Sequence, residues 1–355
     1  MTPHLARRSH QSNNYPKNRG SNRTAAGRRP LAAIAAATLA LLVLSACAPA
    51  SAEDTETSQS WTFTNDLGSV ELPGTIKRVV SVDFYTPAAL IDAGVTPVGV
   101  VNTYFTDTEG KAIPTAYTSA IKSSGAESIG EYYELNVEAV AKAQPDVILA
   151  TDDFLPMNDP LRPQLEKIAP IVTFTARDAL SWKTRSDQVA EIVKHVDTLE
   201  PIREKYLARL NEVKAEHKDF LTDKTMAVFV PSQEATWGTY ASTHFTGGVW
   251  SDLGARYREQ QSDEINPAGF PNWFSYEELG RINNADVLFY QAKDDPRTTL
   301  ADNVIWQNLN AVKSGLVFPN IDRSATGSYG WALENLNDID ALLDGVEAVK
   351  SGSSS

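Results

Sequence analysis

The sequence predicts an α/β protein of two Rossmann-like lobes, joined by a single long rigid helix and enclosing a ligand cleft between them. Three observations predict it. Short β-branched runs alternate with helical patterns in both halves of the chain, which argues for parallel strands with crossover helices. A central stretch, Leu199 to Leu221, has no glycine and keeps its apolar residues at helical spacing. A helix-to-strand phrase in the first half recurs 140 positions later.

In the first half the strand candidates are Arg78 to Val82, Val98 to Val101, Val147 to Thr151 and Ile171 to Phe174. Helical segments lie between them. Pro87 to Ala93 opens with proline in a first-turn position and stops at Gly94, and Val137 to Ala143 is a second helix. In the central stretch Ile202, Tyr206, Leu210, Val213 and Phe220 share one face, and its only proline, Pro201, is placed in the first turn. Its 23 positions would reach roughly 34 Å, enough to brace two lobes. The second half then gives Thr225 to Val230, Val287 to Tyr290 and Leu316 to Phe318 as strands. Its helices are expected at Gly247 to Leu253, Ser275 to Asn283 and Leu333 to Val349.

The recurring phrase is Val137-Glu138-Ala139-Val140, then Pro145-Asp146-Val147-Ile148-Leu149, against Glu277-Glu278-Leu279-Gly280, then Ala285-Asp286-Val287-Leu288-Phe289. Each unit opens a helix with an acid that suits the helix dipole and turns into a buried strand. Duplication is the expected origin, and the generic appearance of any helix-to-strand unit is the alternative.

Before Trp61 the sequence reads as processing rather than structure. Seven Lys or Arg and no acid fall within residues 1 to 46, where Arg28-Arg29-Pro30 leads into the apolar run Leu31 to Leu44. That is signal-peptide grammar, and the run is shorter than the roughly 20 residues a spanning helix needs. Cys47, the only cysteine, excludes an intramolecular disulfide. Leu44-Ser45-Ala46-Cys47 resembles the lipobox of bacterial lipoproteins, which implies acylation at Cys47. Arg28-Arg29 leaves the export route open between the general and twin-arginine pathways. The expected organisation is therefore a signal peptide at 1–46, acylated cysteine and flexible tether at 47–60, and a first lobe at 61–198. The connecting helix at 199–221, a second lobe at 222–350 and a tail at 351–355 complete it. From Cys47 onward 25 basic side chains face 45 acidic ones, which makes nucleic acid a poor partner.

Taken together, Arg78-Val79-Val80-Ser81, Ala89-Leu90-Ile91-Asp92-Ala93-Gly94-Val95, Pro97-Val98-Gly99-Val100, the repeated phrase and the long helix resemble the solute-binding proteins of ABC importers for iron siderophores, haem and cobalamin. The resemblance runs from about Trp61 to Val349. It implies a monomer held at the outer face of the cell membrane by its lipid, which captures a ferric siderophore and hands it to the ABC permease. It implies no cofactor. Haem or cobalamin on the same fold is the alternative cargo, and a secreted α/β enzyme is the more distant reading. In that family each lobe offers a glutamate to permease arginines, and the pattern falls on Glu138 and Glu278, with Glu277 as an adjacent acid that could take the second role.

Ligands of parallel α/β sheets bind beyond the carboxyl ends of strands. That rule selects Tyr85, Tyr104, Phe105, Asp152 to Phe154 and Arg177 in the first half, and Trp237, Tyr240, Gln291, Arg323 and Tyr329 in the second, with Trp273 just before the helix bearing Glu278. Aromatic faces suit the organic scaffold of a chelate, and arginine suits its oxygens. After Cys47 the only histidines are His195, His217 and His244, so no zinc or manganese cage is expected and iron should arrive already chelated. There is no Gly-x-Ser-x-Gly elbow, no HExxH helix and no phosphate-binding Gly-x-x-x-x-Gly-Lys-Ser/Thr. The chain is thus expected not to be an enzyme.

Overall fold

The β-branched runs of the sequence become two sheets in the computed structural model, which describes residues 59–350 and 352 apart from 177, 233, 266–270 and 322–324. Cys47, the segment before it and most of the proposed tether lie outside the described residues. The described chain opens with an antiparallel hairpin, β1 (Trp61–Asn65) against β2 (Gly68–Leu72). The first sheet starts with β3 (Val79–Ser81), β4 (Gly99–Val100) and β5 (Glu127–Ser128). A small hairpin follows, β6 (Gly130–Glu131) with β7 (Glu134–Leu135), and the sheet is completed by β8 (Val147–Thr151) and β9 (Ile171–Phe174). Its order is β5-β4-β3-β8-β9, all parallel. Every residue of β8 and β9 is buried, the continuous apolar pattern of strands covered on both faces.

The second sheet contains β10 (Thr225–Pro231), β11 (Thr236–Gly238), β12 (Arg256–Tyr257), β13 (Phe274–Ser275), β14 (Val287–Tyr290) and β15 (Val317–Pro319). On one side β10 pairs in parallel with β14, which pairs with β15. Its other edge is divided: β12 runs parallel to its start, and β11 runs antiparallel to its end. A polar two-residue strand such as β5 or β12 leaves no periodic signal, which is why neither was expected from sequence.

The repeated phrase has a repeated geometry. Val79 pairs with Val147 as Met226 pairs with Val287. In the first sheet the Asp146 carboxylate accepts from the backbone N–H of Lys77 (2.7 Å) and Arg78 (2.8 Å). In the second, Asp286 accepts from the N–H and the hydroxyl of Thr225, both at 2.8 Å. Each aspartate therefore pins the start of the neighbouring strand and sets its register.

Between the sheets runs the helix Val196–Glu216, three residues earlier at its start than the sequence suggested. Pro201 consequently sits inside the helix rather than in its first turn. The helix does not continue to Leu221: the chain turns aside at His217 (φ −100°, ψ 26°) before a short helix, Lys218–Asp223. The His217 ring is buried against the last helix, Tyr329–Lys350, where Asp340 lies 2.9 Å from Nε2 and Glu347 lies 3.2 Å from Nδ1. Burial alone would lower its pKa, but those two carboxylates outweigh it and raise it. Arg209, on the strut, also pairs with Asp340.

The strut is thus one member of a helix pair. One apolar cluster passes from Val79 and Leu149 of the first sheet through Tyr206, Leu210 and Val213 of the strut to Val228 and Phe289 of the second. Leu336, Ile339 and Leu343 of the last helix belong to the same cluster. That last helix nevertheless begins inside the first lobe, where Trp331 packs with Ala88, Val100, Tyr104 and Tyr117. The buried Asp92 carboxylate holds it there, accepting from Tyr117 Oη (2.8 Å) and from Gly330 N–H (2.7 Å). No helix among the described residues is long and apolar enough to cross a membrane.

Gly330 has no room for a side chain: an added Cβ would meet Tyr117 Oη and lie 2.7 Å from Asp92 Oδ1. Gly330→Ala should therefore lower stability by about 1–3 kcal/mol. Urea unfolding checks it; an unchanged midpoint would show that this junction is loose.

Candidate functional site

In the first sheet the chain leaves β3 in one direction and reaches β8 in the other, so a crevice opens at their carboxyl ends. What stands there is set by three aspartates and a group of rings. Asp83 is buried and accepts from the N–H of Tyr85 (2.6 Å) and Thr86 (2.7 Å) and from the Thr86 hydroxyl (2.8 Å), fixing the turn into helix Thr86–Asp92. Asp152 is buried and accepts from Ala176 N–H at 3.1 Å, tying the end of β8 to that of β9. Asp153 beside it is partly exposed, while burial of its carboxyl raises its pKa against the charge of Arg185.

The rings form a shelf. Phe84 meets Tyr85 at 5.5 Å and Tyr132 at 6.0 Å, both edge-on. Phe154 is flanked by Tyr132 (4.9 Å, 29°) and Tyr133 (5.7 Å, 30°), with Tyr85 at 5.9 Å. Tyr133 occupies the turn between β6 and β7 with φ 53°, a left-handed conformation that costs a bulky residue about 1–2 kcal/mol. Its ring is 73% exposed, so the turn spends backbone strain on presenting an aromatic surface to solvent.

Beneath Tyr85 lies Arg185, from helix Ser181–Ile192, only 3% exposed. Its guanidinium is 4.7 Å from the ring centroid and donates to the carbonyls of Thr175 (3.5 Å) and Thr326 (3.3 Å). Among the described residues its Nε has no partner. The strand-tip rule missed Arg185 because it sits within a helix, where an arginine in a polar sequence reads as a surface charge.

In the second lobe a cavity of about 490 Å³ lies at the ends of β14 and β15, within the usual range for small-ligand sites. Gln291, Lys293 and Asn320 line it, and Lys111 enters from the first lobe. The Gln291 Oε1 and Asn320 Oδ1 atoms themselves are buried away from solvent, without a donor among the described residues. Tyr240, half-buried, stacks on His244 at 4.4 Å.

The sequence-selected residues therefore divide. Asp152 and Gln291 directly follow β8 and β14, but Asp152 is buried, as is Tyr85 beyond β3, and Tyr240 follows the antiparallel β11. Tyr104 is wholly buried, its hydroxyl donating to Phe84 carbonyl at 2.9 Å, and Trp237 is wholly buried among Phe229, Phe274 and Trp306. Both are core: the loop rule names a position but not the direction in which a side chain points. Tyr329 is likewise buried, between Trp182 and Tyr206 at the helix pair. Trp273 is 53% exposed, and Arg177 and Arg323 lie outside the described residues. Phe154 of the selected run joins the ring group, and Phe84, Tyr132, Tyr133 and Arg185 are the additions.

Away from this cleft, Glu138 is exposed in the first turn of helix Val137–Lys142, whose cap Asn136 accepts from Ala139 N–H. In the second lobe Glu277 and Glu278 open the 3-10 helix Tyr276–Ile282. Glu278 is engaged by Arg281 at 3.1 Å, whereas Glu277 is exposed. Among the described residues Glu216, His217 and Asp340 have the spacing of a metal-binding trio, but they sit in the helix pair, with both His217 nitrogens in hydrogen bonds.

Burial, opposed by hydrogen bonds from Thr86 and Tyr85 and by Arg185, pushes the Asp83 carboxyl up to about 6 from 3.8. A folded pKa above the unfolded one favours the protonated form. Its stability contribution is therefore complete below about pH 4 and lost as pH rises through 6, on the order of 3 kcal/mol. Asp83→Asn should flatten the fall in unfolding free energy between pH 4 and 7; parallel curves for both proteins would show that Asp83 does not titrate there.

Three comparisons bear on the whole chain. Residues 86–319 match the family described as periplasmic binding protein. The Fe(3+)-citrate-binding protein YfmC of Bacillus subtilis (strain 168) is 26% identical over 292 residues, spanning 79% of this chain and 85% of its own. From the same organism the "Probable siderophore-binding lipoprotein YfiY" is 29% identical over 293 residues, 78% of this chain and 86% of its own. Among solved structures, the siderophore periplasmic binding protein from the fuscachelin gene cluster of Thermobifida fusca aligns with a TM-score of 0.58 at 26% identity, covering 77% of this chain and 98% of that one.

Proposed function

This chain belongs to the periplasmic binding protein family, and from that membership we propose that it captures a ferric siderophore outside the cytoplasm and delivers it to the permease of an ABC importer. The observation that carries the reading is the cleft itself: an aromatic shelf at the tips of β3 and β8, and a cavity of about 490 Å³ at the tips of β14 and β15 that also touches the first lobe through Lys111. The relatives' names, an Fe(3+)-citrate-binding protein and a siderophore-binding lipoprotein, support the cargo and the lipid anchor at Cys47.

Binding and release are the whole of the mechanism, without covalent chemistry. A chelate enters between the lobes, its scaffold packs on Tyr132, Phe154 and Tyr133, and its polar groups meet Gln291 and Asn320. The helix pair restrains closure to a small movement, because the two lobes share one apolar core. The loaded protein then docks through Glu138 in one lobe and Glu278 in the other, two carboxylates held a fixed distance apart for a matching pair of permease arginines. Glu278 must exchange Arg281 for its permease partner, and the exposed Glu277 beside it is the alternative second contact. The protein acts as a monomer, and ATP is consumed by its partner.

Docking separates from capture in a single set of variants. Glu138→Ala combined with Glu278→Ala should leave ferric-siderophore affinity within twofold and reduce uptake of the radiolabelled chelate at least tenfold, with Glu277→Ala as the comparison. Full uptake by the double variant would rule these glutamates out.

A further inference from the structure

We propose that Met157 is a peroxide-reactive methionine whose sulfoxide is held by the buried Arg162, so that oxidation at this position strengthens the first lobe instead of loosening it. The two residues lie where the segment leaving β8 meets the short helix Arg162–Leu165, and the modification is independent of the cargo in the cleft.

Arg162 is only 5% exposed, yet its side chain has no carboxylate as a hydrogen-bond or ion-pair partner among the described residues. Burial pushes its pKa down, and the charges of Glu166 and Asp159 oppose that without either group bonding to it. Its Nη2 donates to the Thr173 hydroxyl and, at 3.2 Å, to the Met157 sulfur, while Nε is buried without an acceptor. A charged donor gains most from a strong acceptor, and a thioether is a weak one. The sulfur is the member of this set that oxidation improves.

Access favours the same residue. Of the three methionines in the chain, Met1 lies outside the described residues and Met226 is 1% exposed within β10, whereas Met157 is 57% exposed. A cavity of about 200 Å³ between the first hairpin and β9 is lined by Met157 and Arg162 together with Asn65, Ser69 and Thr173, and leaves room for one added atom.

The oxidant is hydrogen peroxide or an alkyl hydroperoxide. A sulfur lone pair attacks the terminal peroxide oxygen, the S–O bond forms as the O–O bond breaks, and the sulfur loses two electrons to the peroxide. The departing oxygen takes the proton of the transferred one and leaves as water or as the alcohol. The guanidinium then faces a sulfoxide oxygen of partial negative charge in place of a neutral sulfur. Methionine oxidation ordinarily disrupts packing, because it makes an apolar side chain polar. Here the side chain is already exposed and the group it meets is a buried cation short of acceptors, so the sign reverses.

Purified protein treated with dilute hydrogen peroxide, then digested for mass spectrometry, should carry one added oxygen at Met157 and none at Met226. Its urea midpoint should rise by about 0.3 M. Met157→Gln, whose amide oxygen stands in for the sulfoxide, should exceed Met157→Leu by a similar margin without peroxide, and neither variant should respond to the oxidant. In Arg162→Leu the oxygen should still be added at Met157, with no rise in midpoint. A midpoint that stays or falls when Met157 is oxidised, equal midpoints for Met157→Gln and Met157→Leu, or a Met157 no more reactive than Met226 would each overturn the inference.

Discussion

Everything in this molecule depends on two sheets sharing one apolar core through a pair of helices. The strut Val196–Glu216 presents Tyr206, Leu210 and Val213 to residues of both lobes, and the last helix closes the same layer with Leu336, Ile339 and Leu343. Opening the lobes widely would expose that layer, at about 25 cal/mol for each Å² of apolar surface returned to water. Small excursions leave it intact. The cleft is consequently built in advance of its ligand, and little of the binding free energy is spent on ordering it.

Within that frame the two walls of the cleft differ in kind. The first lobe contributes stacked rings and carboxylates, with Arg185 buried beneath Tyr85 and directed at backbone carbonyls. The second contributes carboxamides at the ends of its strands. Among the described residues the one His-carboxylate trio with metal-binding spacing lies in the helix pair, away from both walls. Recognition by shape, stacking and hydrogen-bond polarity is what such walls can do, consistent with a protein that must release its cargo unchanged.

Much of the fold was legible in the sequence because the decisive signals were local. The runs Val147–Thr151, Ile171–Phe174 and Val287–Tyr290 are strands over the residues their composition indicates, since strands buried on both faces read as unbroken apolar stretches. What escaped was determined at a distance. The turn at His217 is made with Asp340 and Glu347, more than a hundred positions away, and nothing near His217 announces it. At the site, chain position alone selected Tyr85, Tyr104 and Trp237 together, although all three rings are buried. Arg185 and Tyr133 were invisible for opposite reasons: one is a buried charge within a helix, the other an exposed ring in a strained turn.

The origin of Trp331 has a bearing on how the chain reaches its native state. This indole completes the packing around Ala88, Val100 and Tyr117, yet it arrives after more than two hundred intervening residues, once the second sheet has been laid down. The amino-terminal half therefore cannot finish its own interior while synthesis is in progress. The last step of its packing waits on the carboxyl-terminal helix, which joins the end of the chain to the start.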